Sequence, residues 1–318
     1  MGRKVLIGVP NFSKTCKDAT ELLINNGFTI DENPYKRTFQ FHELEPIIGD
    51  YDAMISELEI WNEALFYAAK KMKILARNGV GLDNIDLNAA KNAGVCITYA
   101  KGLNAVSVAN MAIALMLTVL RKTSYFDSRV RKGFWDNDTG NDLDGRKVGF
   151  LGFGEIARMT ARRLSGFDVE MLAYDKYQTE ADIQKASVKK VSFETILLSC
   201  NTISLHLPYN NETHHIITEK EFAMMRSDTI LINTARGKLV CMDALYNALC
   251  NRKIFGAGID VYENEPVDPE SKLLTLQNVV LTPHVSGHTV ESCARVGYQV
   301  AKDIISFFNG ETPELLVL

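Results

Sequence analysis

Short apolar runs alternate with amphipathic stretches along nearly the whole chain. The runs 5–9, 28–30, 53–55, 73–76 and 95–98 have the length and β-branched content of buried strands, and the stretch 17–26 between the first two carries helical spacing. A second series starts at 148–151 and continues at 170–174, 202–207, 229–233, 256–260 and 279–282. Strands that alternate with helices run parallel, because each crossover helix returns the chain to the same end of the sheet. The pattern therefore predicts two parallel α/β sheets in succession. A helix is predicted over 107–121, capped by Ser107, with Met111, Ala114, Leu115 and Thr118 along one face. The Asp-, Asn- and Gly-rich stretch 133–145 reads as a surface connection. The tail 289–308 reads as one helix, stopped by Gly310.

A length of 318 residues suits two domains, and 46% hydrophobic with 23% charged residues is the make-up of a folded chain. The formal net charge of -4 leaves no basic stripe for a phosphate backbone, so no nucleic-acid partner is expected. Cys16, Cys96, Cys200, Cys241, Cys250 and Cys293 are scattered with no C-x-x-C pair, which suits free thiols in a reducing compartment and predicts neither disulfides nor a metal site. The apolar start at 5–9 is too short for a secretory signal, and the apolar segment 105–120 falls short of the ~20 residues needed to span a bilayer. No membrane partner is expected, and the cytoplasm is the expected location.

The turn Gly152-Phe153-Gly154-Glu155-Ile156-Ala157 follows an apolar strand and opens a helix. Gly152 permits the tight turn and Gly154 lets backbone approach a pyrophosphate. Ala157 is small where helix and strand pack, and the helix start at Glu155 and Ile156 offers N–H groups to the phosphates. A glycine turn alone serves tight packing equally well. The next strand, however, ends in Asp175, close to the ~20 residues past the first glycine where a carboxylate binds the ribose 2′-hydroxyl. Its charge favours NAD over NADP, and the neighbouring Lys176 weakens that preference.

Three further strands each end in a polar group, where ligands bind in open parallel sheets. They run into Asn233-Thr234-Ala235-Arg236-Gly237, into Asp260-Val261-Tyr262-Glu263-Asn264-Glu265-Pro266, and into Thr282-Pro283-His284-Val285-Ser286-Gly287. Taken with 77–86 and 104–109, these segments resemble the D-isomer-specific 2-hydroxyacid dehydrogenase family, which includes D-3-phosphoglycerate dehydrogenases. The resemblance runs nearly end to end. It implies a flavodoxin-like substrate domain formed by both chain ends, 1–102 and 288–318, and a Rossmann NAD-binding domain over 103–287.

The resemblance also implies roles. Arg236 would bind the substrate carboxylate and polarise the carbonyl, His284 would act as acid and base, and Glu265 would orient the imidazole and favour its charged form. Asn78, Gly79, Val80 and Gly81 would hold the substrate. Asp260 would meet the nicotinamide carboxamide, with Leu207, Pro208, Thr234, Ala235 and Gly287 lining the cofactor. His206, His214 and His215 are assigned no proton transfer. A homodimer built through the Rossmann domains is implied, acting on a small 2-keto or 2-hydroxy acid.

The chain departs from the family at Asn110, commonly glutamate, and at Glu57 and Glu59, in a loop where phosphoglycerate dehydrogenases carry arginine. Two carboxylates there are expected to repel a phosphate dianion. An alternative reading is an NAD(H)-sensing protein like the corepressors that share this fold. A formate dehydrogenase-like enzyme would place glutamine where this chain has Glu265.

Overall fold

The structure is a computed structural model and describes residues 2–318. The chain divides into two compact units, one from residues up to Asn104 together with His288–Leu318, the other Ala105–Gly287.

The first unit is a five-stranded sheet of β1 (Lys4–Ile7), β2 (Thr29–Glu32), β3 (Ala53–Ser56), β4 (Ile74–Arg77) and β5 (Cys96–Tyr99). The order is β2-β1-β3-β4-β5 and all pairings are parallel, as in flavodoxin-like sheets. Side-chain alternation sends Val5 and Ile7 into one core and Leu6 into the other. Helices Lys17–Asn25 and Val290–Phe308 cover the first face, where Ala19 and Leu23 meet Val296, Val300 and Ile304. The last residues return to β5, with Val317 N–H donating to Ile97 O at 2.8 Å. The long terminal helix starts where Thr289 accepts a hydrogen bond from Ser292 N–H. It ends at Gly310, whose φ of 80° lets Glu311 N–H reach back to Ser306 O at 2.9 Å.

The second unit is a seven-stranded parallel sheet of β6 (Lys147–Leu151), β7 (Glu170–Tyr174), β8 (Lys189–Lys190), β9 (Thr202–Leu205), β10 (Ile230–Asn233), β11 (Gly256–Ile259) and β12 (Val279–Leu281). Its order, β12-β11-β10-β9-β6-β7-β8, reverses direction between β6 and β9, the Rossmann arrangement whose ligand crevice lies at that switch point. Both faces are covered, one core gathering Leu151, Ile203, Leu231 and Ile259, the other Val148, Phe150, Ile230 and Ile232.

Helix Ala105–Arg121 begins two residues before the expected cap, so Ser107 is buried inside its first turns. Ala114, expected inward, is exposed, and the buried face runs through Val108, Ala112, Leu115, Met116 and Val119. The helix packs on both β10 and β11 and on helix Glu155–Leu164, so its apolar residues nearly encircle it and periodicity poorly defines the inward side. Helix Thr123–Arg131 was not expected: it buries no residue and so lacks an apolar stripe to reveal it. Among the described residues no single helix is long and apolar enough to cross a membrane.

Candidate active site

β6 ends against the switch point and the chain turns through Gly152, whose φ is 89° and whose added Cβ would lie 2.6 Å from His206 O. Both the left-handed conformation and that close approach require glycine. Gly154 then caps helix Glu155–Leu164 with no side-chain hydrogen bond, and a Cβ built there meets nothing within 4 Å. The start of the helix thus presents unshielded N–H groups at Glu155 and Ile156 beside open space, the arrangement a pyrophosphate fits. Phe153 and Ala157 are buried and hold the turn from below.

Asp175 follows β7 and ties the turn to its own loop. One carboxylate oxygen accepts Phe153 N–H at 2.7 Å, and the other accepts Tyr177 and Gln178 N–H at 2.8 Å each. Burial opposes the charge on Asp175, yet these three donors and the Lys190 ammonium hold its carboxyl below the usual range. A fixed negative charge of this kind accepts ribose hydroxyls and repels a 2′-phosphate. Lys176, which weakened the expectation, pairs instead with Glu212 at 2.7 Å.

At the end of β10, buried Asn233 clamps the turn that follows it, accepting Ala235 N–H at 3.1 Å and donating to Arg236 O at 2.9 Å. Arg236 folds over this turn and donates to Ala235 O at 2.7 Å. The Thr234 hydroxyl is buried without a hydrogen-bond partner, an acceptor and donor still open to a cofactor. Leu207 packs against the core beyond β9, and Pro208 is exposed beside it.

His284 Nδ1 lies 2.6 Å from Glu265 Oε2. Glu265 is itself fixed, because its other oxygen accepts Tyr262 N–H at 3.0 Å and the Tyr262 hydroxyl donates to Thr282 O at 3.0 Å. Burial works against the Glu265 charge, but the His284 hydrogen bond, the His284 charge, the Tyr262 N–H and the Arg236 charge outweigh it and hold the carboxyl below the usual range. With Nδ1 engaged, Nε2 is the ring nitrogen Glu265 leaves for chemistry.

The histidine turn rests on a post that sequence reasoning did not foresee. His284 has a φ of 54°, unusual for a non-glycine residue, and its N–H donates to Asp260 O at 2.8 Å. The fully buried Asp260 carboxylate accepts from Thr282 Oγ1 and Val285 N–H on one oxygen and from Ser286 N–H and Oγ on the other. Asp260 was expected to meet the nicotinamide; its side chain also pins residues 282–286, and a cofactor contact there shares oxygens that already hold two donors each. The signal was available in the pair of hydroxyls flanking His284. Gly287 closes the same segment.

Asn78, Gly79, Val80 and Gly81 lie in the first unit, in the loop after β4. Arg77, 6% exposed, curls beneath them, donating to Asn78 O and Gly81 O at 3.1 Å each. Gly79 leaves room for that guanidinium, since a Cβ would fall 2.8 Å from Arg77 Nη1. The expectation for Glu57 and Glu59 needs correction. Glu59 is only 2% exposed, bonded to Ser56 Oγ at 2.6 Å and Glu57 N–H at 2.7 Å, and burial pushes its carboxyl up. It braces the loop from within, sealed from solvent. Glu57 Oε1 lies 3.4 Å from His288 Nε2. Asn110 accepts from Arg163 Nε at 2.7 Å and so joins two helices. Burial pushes the His206 imidazole down to about 3, which keeps it neutral.

The family described as "D-isomer specific 2-hydroxyacid dehydrogenase, NAD binding domain" matches residues 113–286. A D-3-phosphoglycerate dehydrogenase of Archaeoglobus fulgidus is 36% identical over 96% of this chain, which spans only 58% of that relative's length. A glyoxylate reductase of Korarchaeum cryptofilum is 38% identical over 85% of this chain and 83% of its own. The crystal structure of D-lactate dehydrogenase from Aquifex aeolicus, complexed with NAD and lactic acid, superposes with a TM-score of 0.84 at 27% identity, covering 97% of this chain and 96% of that one. The chain belongs to the D-isomer specific 2-hydroxyacid dehydrogenase family, as an NAD-dependent oxidoreductase whose cofactor domain is the seven-stranded unit.

Proposed function

We propose that this chain interconverts a small unphosphorylated 2-oxo acid, such as glyoxylate, and the corresponding 2-hydroxy acid, the D isomer wherever C2 is a stereocentre. The observation that carries the reading is the imidazole of His284, held at 2.6 Å by Glu265 in the same unit as the uncapped glycine turn. Bound NADH supplies the hydride to C2 of the keto acid. Negative charge then grows on the carbonyl oxygen, and Arg236 stabilises it while His284 donates a proton to it. In the oxidative direction the neutral imidazole takes the hydroxyl proton. Glu265 keeps the ring oriented and balances its positive form. Asn78, Gly79, Val80 and Gly81 are assigned to the substrate carboxylate. Glu57 disfavours a phosphate, and the glyoxylate reductase relative supports a small keto acid.

His284→Ala tests the assignment. Turnover of glyoxylate followed by NADH absorbance should fall at least about a hundredfold, while NADH binding followed by fluorescence is retained. Full activity in the variant, or a wild-type preference for a phosphorylated keto acid over its unphosphorylated analogue, would overturn the corresponding part of the proposal.

The dinucleotide-sensing alternative is not favoured, since the relatives are named as reductases and dehydrogenases. A homodimer is proposed through the second unit. Helix Thr123–Arg131 has no buried residue, and Trp135 beyond it is 90% exposed, an apolar surface that suits a second copy. Trp135→Glu should shift the mass measured by light scattering toward the monomer. Six free cysteines support a reducing, cytoplasmic setting.

A further inference from the structure

Three ligand-bearing residues far apart in the sequence meet in the second unit. His215, Cys241 and Glu263 each bring one nitrogen, sulfur or oxygen atom into a group lying within 4.8 Å of one another. Backbone pairing puts them there. His215 N–H donates to Lys238 O at 2.8 Å and Cys241 N–H to Ile217 O at 3.0 Å, so the segments carrying the histidine and the thiol run side by side. Gly237 packs directly on the Tyr262–Glu263 peptide, which brings in the carboxylate.

The cluster differs from a simple ion pair in one respect. His215 Nε2 lies 3.1 Å from Glu263 Oε1, yet it is buried without a hydrogen-bond partner, because the alignment is wrong for one. Nε2 is thus a buried polar atom that no hydrogen bond satisfies, beside the carboxylate of Glu263. The backbone of His215 is held at a φ of 47°, in the left-handed region that only a small share of non-glycine residues adopt.

We propose that His215, Cys241 and Glu263 form a binding site for Zn²⁺, with solvent in the fourth position. Thiolate, imidazole and carboxylate together are the donor set of zinc, at bond lengths of ~2.0–2.3 Å. Tetrahedral geometry with those lengths separates neighbouring donors by roughly 3.4 Å. The observed His–Glu distance of 3.1 Å is close to that edge, and the thiol sulfur, within 4.8 Å of both donors, has at most about 1.4 Å to close. On binding, the Cys241 thiol releases its proton to solvent and the thiolate takes the metal. The ion would join the segments around 215 and 241 to the loop holding Glu263, two residues before Glu265.

The test uses the full chain, stripped with chelator and titrated with Co²⁺. One equivalent should produce a thiolate-to-cobalt charge-transfer band with intense tetrahedral visible bands, and Zn²⁺ should abolish both. Cys241→Ser should remove the charge-transfer band, and His215→Ala should weaken binding by more than about tenfold. His284→Ala, which removes the other histidine–carboxylate pair of the second unit, should leave the spectrum unchanged. If Cys241→Ser does not fold by circular dichroism, Glu263→Gln keeps the thiol and should weaken binding in the same way as His215→Ala. Absence of the charge-transfer band, its survival in Cys241→Ser, or its loss in His284→Ala would overturn the site.

Discussion

Gly237→Ala is the most direct test of how the loops carrying Arg236 and Glu265 are held together. Gly237 follows Arg236 and lies against the peptide that leads to Glu265. A Cβ there would stand 1.9 Å from the Tyr262 carbonyl carbon, 2.0 Å from its oxygen and 2.5 Å from Glu263 N. All three are backbone atoms, which cannot swing aside as a side chain does. To move from 1.9 Å to the 3.4 Å of ordinary contact, the two segments must part by about 1.5 Å. Overpacking of this kind costs about 1–3 kcal/mol, and displacement of a catalytic group by ~1 Å costs about a hundredfold in rate. The expected result is a kcat for NADH-dependent keto-acid reduction lowered by about two orders of magnitude, with Tm lowered by several degrees. NADH affinity should fall less than kcat, because the glycine turn and Asp175 lie on other strands, although Thr234 and Ala235 share the displaced turn. A variant with wild-type kcat and wild-type Tm would show that the two segments are not in contact, and the reasoning about Arg236 and Glu265 would fall with it.

Asp175→Ala should narrow the preference for NADH over NADPH by about tenfold or more, since it removes a charged acceptor worth ~1.5–3 kcal/mol; an unchanged ratio of the two dissociation constants would refute its role. Asp260→Asn sets an amide N–H against the donors of Thr282 and Val285 or of Ser286, so Tm and kcat should fall together, with an unchanged melting curve and rate as the refuting result. Glu265 has a native carboxyl held below its ordinary value, so its contribution to stability is present at neutral pH and is lost as pH falls through the lowered value. The Tm gap between wild type and Glu265→Gln should therefore close below the ordinary carboxylate range, and a gap that widens there would contradict the sign.

Much of the fold was legible because it rests on local periodicity. Continuous apolar runs mark the central strands, buried on both faces, while β2 is an exposed edge, and both series of runs emerged as parallel sheets. The terminal helix was legible through its own chemistry, a threonine at its start and a glycine just past its end. Helix Ala105–Arg121 was legible only in outline. Apolar residues nearly surround it, so the pattern cannot say which side faces the sheet. The site followed the same division. Gly152 and Asp175 sit just past strands, where order along the chain and residue type point to a nucleotide, whereas Arg236, Glu265 and His284 were singled out only through the family resemblance.

The sequence by itself determined the alternation of elements, the glycine turn and the residue types at the strand ends, because backbone geometry and short-range spacing are written locally. Tertiary structure alone decided that Glu59 is sealed inside a loop, that Asp260 holds the histidine turn, and that His215, Cys241 and Glu263 share one small volume. Burial and side-chain partnership depend on which distant segments pack together, and no local spacing encodes that.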